Sequence, residues 1–551
     1  MPKRIVVCSD GTGNAAIKGR GTNVFKLFEA VDLNGHTRDP KLTPQVAIYD
    51  DGVGAEDFKL LKIVGGAFGL GLSRNVKDLY RELVRIYDEG DEIYVFGFSR
   101  GAFTVRTLVG FIATCGLVDR KKLARNDFAG LRQKIDDAYS AYRKCYRPWL
   151  WRIFGKPTRD AGDTFKKAHS LTTDVRVRFV GVWDTVDAVG LPFHIADFWN
   201  ATFYQFKFSD HKLSTIVDRA CHALSIDDPR QSFTPVLWDE SGDEDRITQV
   251  WFAGVHSNVG GGYPKQGMSL VALDWMLTEA GRPDEKGKKG LRTNETEREY
   301  FRDHANVDDK LYDPRAGLGI FYRWKIRDIA KLCRDHKLKP RIHLTALERI
   351  AHGTDDYAPG NLPSDAEVVI TQALTEEAED LLDRRAQGVE QELRTIPGGM
   401  LLNQVRFPMA VGTVSYYVYL IFCTAVVITA AGVDTGSFAR SPLIPLITIG
   451  KFVFALVTDF QATLVIIGRQ LLNRPELWFV LLSGFVLAYA MMLFADNRME
   501  KVFSRFWYGK QEALRDALKK ARADAKREGP RPPHGPGATQ PAPSKEPMTV
   551  A

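Results

Sequence analysis

Residues 92–112 read "EIYVFGFSRGAFTVRTLVGFI". An apolar run from Ile93 to Phe96 leads into a serine bracketed by Gly97 and Gly101. Ala102, Val105, Leu108, Val109 and Ile112 then recur on one face at helical spacing. Strand, tight turn and helix are the surroundings that a nucleophile elbow needs. The residues two before and two after the serine must be small, because the backbone there leaves no room for side chains. A glycine-rich turn without chemistry is the competing reading, since a five-residue pattern is short. The flanking strand and helix favour Ser99 as a nucleophile.

The same alternation extends outward. "RIVV" precedes the glycine-rich "SDGTGN" and the helical "TNVFKLFEAV"; "QVAIY" precedes "DDGVG"; "SRNVKDLYRELVRIYDEG" reads as a helix ending near Gly90. This β-α-β rhythm predicts an α/β fold with a mostly parallel sheet and helices on both faces. Two aromatic-rich stretches, 141–154 and 191–208, interrupt it and read as lids, as membrane-facing surface or as helices on an enlarged core. Six scattered cysteines without a C-x-x-C pair argue against a disulfide framework and fit a reducing compartment. The N-terminus lacks the pattern of a signal peptide, because its apolar run is short and soon reaches Asp10.

A serine hydroxyl is too weak an acid to attack unaided at neutral pH, so it needs a base and an acid to orient that base. "VRVRFVGVWDTVDAVG" places Asp184 at the end of an apolar strand, and "ITQVWFAGVHSNVGGGYP" does the same for His256. Ligand crevices of open parallel sheets lie at the carboxyl ends of the strands, where Ser99, Asp184 and His256 are expected to meet. Asp187 is the reserve acid. The N–H of Arg100, directly after the serine, is the first oxyanion-hole donor. Gly11 and Thr12 of "SDGTGN" are candidates for the second. Asp10 reads either as part of this site or as a turn residue bonding its own backbone. "GGG" after Asn258 either frees the histidine loop to approach the serine or is only a turn. The eleven histidines show no metal-ligand spacing, and neither metal nor cofactor is expected.

Near 363 the chain changes character. "PGNLP" cannot continue a helix, and the predicted catalytic domain is 1–363. Residues 364–403 read as a charged amphipathic connector. Met409–Val433 and Leu477–Ala495 carry no charged residue and are long enough to cross a bilayer core of about 30 Å. The membrane region is set at 404–497, with spans at 409–433 and 477–495. Segment 442–468 is apolar but carries Lys451 and Asp459, and it is expected not to cross fully. A basic helical tail, 498–528, has twelve Lys/Arg against six Asp/Glu from Arg498 to the end of the chain, and so holds most of the net charge of +7. That distribution points to lipid headgroups and not to nucleic acid. By the positive-inside rule the tail and catalytic domain are both expected to be cytoplasmic, at a bacterial inner membrane. Residues 529–551 are rich in Pro, Gly and Ala and read as disordered.

"CSDGTGN", "YDDGVG", "GDEIYVFGFSRGAFTVRTL", "VWDTV", "ALSIDDPRQSFTPVLW", "VWFAGVHSNVGGGYP" and "YAPGNLP" follow one another over residues 4–363. Together they resemble the catalytic domain of the type VI secretion phospholipase effectors. The resemblance implies an α/β-hydrolase-like fold, a Ser99–Asp184–His256 triad and hydrolysis of an acyl ester in a membrane phospholipid. It also implies an immunity or secretion-apparatus protein as partner if the chain is an exported effector. Asn258 stands where the family often has Asp, which weakens any second carboxylate beside the histidine. A tethered hydrolase of a non-lipid ester and an inactive membrane scaffold on the same fold remain the alternatives.

Overall fold

Eight strands form one sheet in the order β2-β1-β3-β4-β5-β6-β7-β8, and every neighbouring pair is parallel. They are β1 (Arg4–Ser9), β2 (Gln45–Asp50), β3 (Glu92–Phe98), β4 (Val177–Trp183), β5 (Val217–Ser225), β6 (Ile247–Phe252), β7 (Arg341–His343) and β8 (Glu367–Val369). The computed structural model describes residues 2–11, 21–52, 67–124, 127–145, 160–186, 211–284, 287–314, 323–371, 389–395, 400–430 and 475–527, with a few positions between 448 and 473. Thr12, Asp187, the stretch 191–208, nearly all of 442–468 and the tail 529–551 lie outside the described residues, as does the stretch 141–154 beyond Cys145.

Strands covered on both faces must be apolar on both, and β1 and β3 are buried almost throughout. Alternate residues serve opposite layers. Ile5, Val7 and Val95 pack with α2 (Ala67–Ile86) and α3 (Arg100–Cys115) on one side. Val6, Cys8, Tyr94, Phe96 and Phe98 pack on the other, where α1 (Asn23–Ala30) lies. The chain leaves β1 for β2 on one side and returns to β3 on the other. The order therefore reverses at β1 and β3, and open parallel sheets bind ligands at the carboxyl ends of strands at such a point. The register aligns those ends, pairing Ser9 with Gly97, Phe98 with Trp183 and Trp183 with Ala223. Beyond β6 come a short helix, α4 (His256–Gly260), then α5 (Gly267–Gly281) and, after β7, α6 (Leu344–His352).

The core does not end at the expected boundary of 363. The edge strand β8 begins at Glu367, so "PGNLP" is a turn into the sheet and not the end of the domain. Leu347, Ile350 and Val368 share one buried cluster with Val389, Leu393, Leu401 and Val405, and with Met499, Phe503, Trp507, Leu514 and Leu518. Part of the connector and of the basic tail therefore belongs to the same core. Trp507 Nε1 donates to the Pro359 carbonyl at 2.6 Å, and Phe503 lies against Gly360, where a Cβ would come within 2.1 Å of the ring.

Among the described residues, two helices are long and apolar enough to cross a membrane, within α7 (Arg406–Ala430) and α8 (Pro475–Tyr508). The 34 residues of α8 run about 51 Å at 1.5 Å per residue. It continues unbroken from an exposed apolar stretch, including Phe479, Leu482 and Val486, into a part that buries Met499, Phe503 and Trp507 on one face. The two helices pack closely. Ser415 Oγ donates to the Ala488 carbonyl at 2.6 Å, and a Cβ at Gly484 would meet the Phe422 ring at 2.2 Å. A final helix, α9 (Gln511–Arg527), packs against α6.

Candidate active site

The turn from β3 to α3 is sharp. Ser99 has φ 59° and ψ −122°, a left-handed conformation costly for a non-glycine residue. A Cβ at Gly97 would lie 2.6 Å from the Gly101 carbonyl oxygen. One at Gly101 would lie 2.1 Å from that of Ser9. Both glycines are thus fixed by close backbone approach, as the elbow reading requires. A serine before a helix ordinarily caps it through its hydroxyl, but Ser99 makes no such bond. Its N–H bonds the Trp183 carbonyl at 3.1 Å, which ties the elbow to the residue preceding Asp184.

Asp184, also at positive φ, is fully buried. Its Oδ2 lies 2.6 Å from His256 Nδ1. Ser225 donates its N–H to Oδ1 and its hydroxyl to Oδ2, both at 3.0 Å. Arg327 holds both oxygens, at 3.0 and 3.1 Å. Burial alone would raise the Asp184 pKa, but the Arg327 guanidinium and the His256 hydrogen bond outweigh it and hold the carboxyl well below the usual range.

His256 opens α4. Its N–H donates to Asp228 Oδ2 at 3.1 Å, and its ring packs between Phe98, at 4.6 Å, and Phe233, at 4.9 Å. Burial lowers its pKa, and the Asp184 hydrogen bond opposes that shift. The ring touches Phe98, the residue before the serine, and Ser99, Asp184 and His256 each follow the carboxyl end of an interior strand, β3, β4 and β6.

The other candidates divide. Arg100 is the first residue of α3, where helix N–H groups and the helix dipole favour negative charge. The Gly11 N–H donates to Asp10 Oδ1 at 2.7 Å. Asp10 Oδ2 accepts from the hydroxyls of Thr22 and Tyr49. "GGG" is a point of close approach: Gly261 has φ 87° and bridges to Thr22, and a Cβ there would meet the Asn23 nitrogen at 2.7 Å. Asn258 Nδ2 donates to the Lys310 carbonyl at 3.0 Å, a bond that an aspartate could not make.

Arg327, Ser225, Asp228 and Phe233 were not anticipated from sequence as site residues. Three of them fall in "ALSIDDPRQSFTPVLW", where a polar run directly after an apolar strand was the available signal. Arg327 had none, since it sits among Arg323, Lys325 and other surface-like charges, 143 residues from its partner.

A family model described as "T6SS, Phospholipase effector Tle1-like, catalytic domain" matches residues 3–279. Uncharacterized protein YEL023C of Saccharomyces cerevisiae is 27% identical over 249 residues, 42% of this chain and 32% of the yeast protein. The match thus spans about a third of that relative's length. Among solved structures, a Tle1 effector bound to the VgrG spike of the type VI secretion system aligns at 16% identity, with TM-score 0.29, over 48% of this chain and 51% of that one. An uncharacterized protein from Pseudomonas aeruginosa aligns at 17%, with TM-score 0.28, over 71% and 59%. Overlaps this small carry no argument about the site. The family match covers half of the chain and includes the serine elbow, Asp184 and His256: the protein belongs to the Tle1-like phospholipase effector family, a family of lipase-like hydrolases.

Proposed function

We propose that the protein is a membrane-anchored serine hydrolase that cleaves acyl esters of phospholipids, with Ser99 as nucleophile, His256 as base and Asp184 as orienting acid. The observation that carries this reading is the 2.6 Å contact of Asp184 with His256 Nδ1, at the carboxyl end of the sheet, where Ser99 sits in a strained turn with no capping duty. With Nδ1 on the carboxylate, Nε2 is the nitrogen that takes the Ser99 proton as Oγ attacks the acyl carbonyl. The Arg100 N–H at the start of α3 then faces the oxyanion. The imidazolium returns its proton to the departing alkoxide, leaving an acyl-serine. A water activated by the same imidazole releases the fatty acid. The phospholipid substrate rests on the family's description. So do delivery as an effector and an immunity or secretion-apparatus partner.

Anchoring is supported by the exposed apolar faces of α7 and α8. Leu401 and Val405 before α7 and Met499 and Phe503 of α8 meet in one core cluster, so the chain leaves and rejoins the same domain. Such a path favours an even number of crossings with catalytic domain and basic tail on one side, and by the positive-inside rule that side of a bacterial inner membrane is the cytoplasmic one.

Labelling by a fluorophosphonate probe tests the chemistry. The full chain is expected to label and the Ser99→Ala variant not, with fatty acid released from phospholipid vesicles by the wild type alone. A wild type inert to the probe in both detergent and vesicles overturns the reading.

A further inference from the structure

Asp184 is more heavily engaged than orienting a histidine requires. Ser225 supplies an N–H to one oxygen and a hydroxyl to the other, and His256 Nδ1 completes the set. These donors give each carboxylate oxygen at least one hydrogen bond. Arg327 adds a two-point contact, and its side chain is only 2% exposed. A guanidinium in this place contributes charge rather than missing hydrogen bonds.

We propose that Arg327 is a positioning residue of the hydrolytic site: its guanidinium fixes Asp184 and cancels its charge, so that His256 stays neutral and able to accept the serine proton at mildly acid pH. The inference rests on the triad reading above. A buried imidazole facing an uncompensated carboxylate protonates readily, because the imidazolium and carboxylate neutralise one another. With Arg327 present, Asp184 and Arg327 already form a neutral pair, and a proton on His256 would leave a buried net charge.

Of the other charges around the ring, Arg230 lowers the His256 pKa and Asp228 raises it. Asp228, after β5, is held by Arg230 at 3.0 and 2.6 Å, a second neutral pair. His222 on β5 accepts the Thr185 N–H through Nε2, and burial and the nearby Arg106 of α3 keep it neutral. Asp227 is bonded by the Gly254 N–H and the Tyr357 hydroxyl, and Tyr263 faces the Arg230–Asp228 pair.

Arg327 is also built in at a fixed height. Its segment is laced to the chain after β5, with Gln231 N–H to the Arg323 carbonyl at 2.8 Å and Lys325 N–H to the Pro229 carbonyl at 2.6 Å. Its Nη2 donates to the carbonyl of Phe233, whose ring packs on His256. The guanidinium, the carboxylate and the imidazole therefore share one frame.

The test is the pH dependence of fluorophosphonate labelling of the full chain in detergent, from pH 5 to 8.5, for wild type, Arg327→Gln and Arg327→Lys. Gln keeps a donor for Asp184 but not the charge; Lys keeps the charge. The wild-type acid limb is expected below pH 6.5. In Arg327→Gln it should rise by about one unit, with labelling at the old midpoint falling several-fold against the variant's own plateau. Arg327→Lys should move it back. A Gln variant slowed equally at every pH, with its limb unmoved, overturns the inference and leaves the triad standing. A wild type that does not label removes the triad reading, and the inference with it. If Arg327→Gln does not fold, the wild-type limb decides: at or above pH 6.5 it overturns the inference, and below 6.5 it supports it.

Discussion

Asp184→Asn separates the orienting and the structural parts of the site. The change keeps one acceptor oxygen and turns the other into a donor, facing the donors of Ser225, His256 and Arg327. Arg327 is then left as a buried cation without its counter-charge. Charge centres about 4 Å apart attract by about 4 kcal/mol at an effective dielectric near 20. That agrees with the cost of about 3–5 kcal/mol for breaking a buried ion pair by removing one partner. The variant should melt about 4–6 °C below wild type in a thermal scan of the full chain in detergent. Probe labelling should fall on the order of 10⁴-fold, because His256 loses the acceptor that fixes its tautomer. Adding Arg327→Leu to Asp184→Asn removes the stranded charge and should recover most of the melting loss while labelling stays low. Two results would refute this account: Asp184→Asn melting with the wild type, or a double variant no more stable than the single one.

The elbow glycines should tolerate nothing larger. Gly101→Ala puts a Cβ 2.1 Å from the Ser9 carbonyl oxygen, and a loss of about 1–3 kcal/mol in denaturant titration is expected, together with loss of labelling. His256 and His222 are both held below their ordinary value by burial, His222 at about 3, so the unfolded chain binds protons that the folded chain refuses. Stability should therefore fall as pH drops from 6.5 toward 3, and a melting temperature that stays flat over that window contradicts the buried neutral histidines. Val486, 59% exposed on α8, tests the lipid-facing surface. Val486→Asp should cost about 2.5–3.5 kcal/mol if hydrocarbon covers it, read as loss from the membrane fraction, and should be nearly silent if water does.

Much of the sheet and the serine elbow was legible because each strand of a doubly covered parallel sheet is a short apolar run, and each crevice residue follows one directly. Ser99, Asp184 and His256 all sit within a few residues of such a run, so local sequence was enough to propose them. Arg327 was not legible, because what makes it special is a contact across 143 residues. The boundary at 363 misled for a similar reason. Proline and glycine report a local turn, whereas a domain ends where packing ends. The tail was read as a basic solvated helix from its charge, although Phe503, Trp507, Leu514 and Leu518 recur there at helical spacing and are buried.

That burial bears on how the catalytic domain is joined to the two apolar helices. A domain hung from its membrane helices by a linker survives removal of those helices, and this one should not. Cutting after residue 403 removes Val405, Ala495, Met499, Phe503, Trp507, Leu514 and Leu518 from the cluster that backs β7, β8 and α6. It also removes Gly412, which lies against Trp324 on the segment that carries Arg327. At about 1.5–3 kcal/mol for each large apolar side chain, the loss is on the order of 10 kcal/mol. A domain's whole stability is about 5–15 kcal/mol. Residues 1–403 expressed alone should therefore aggregate or melt without a cooperative transition, and supplying 475–527 as a separate chain should restore soluble, probe-reactive protein. A monomeric, cooperatively folding and labelled 1–403 fragment would refute this. It would mean that the helices are a tether and not a wall of the catalytic core.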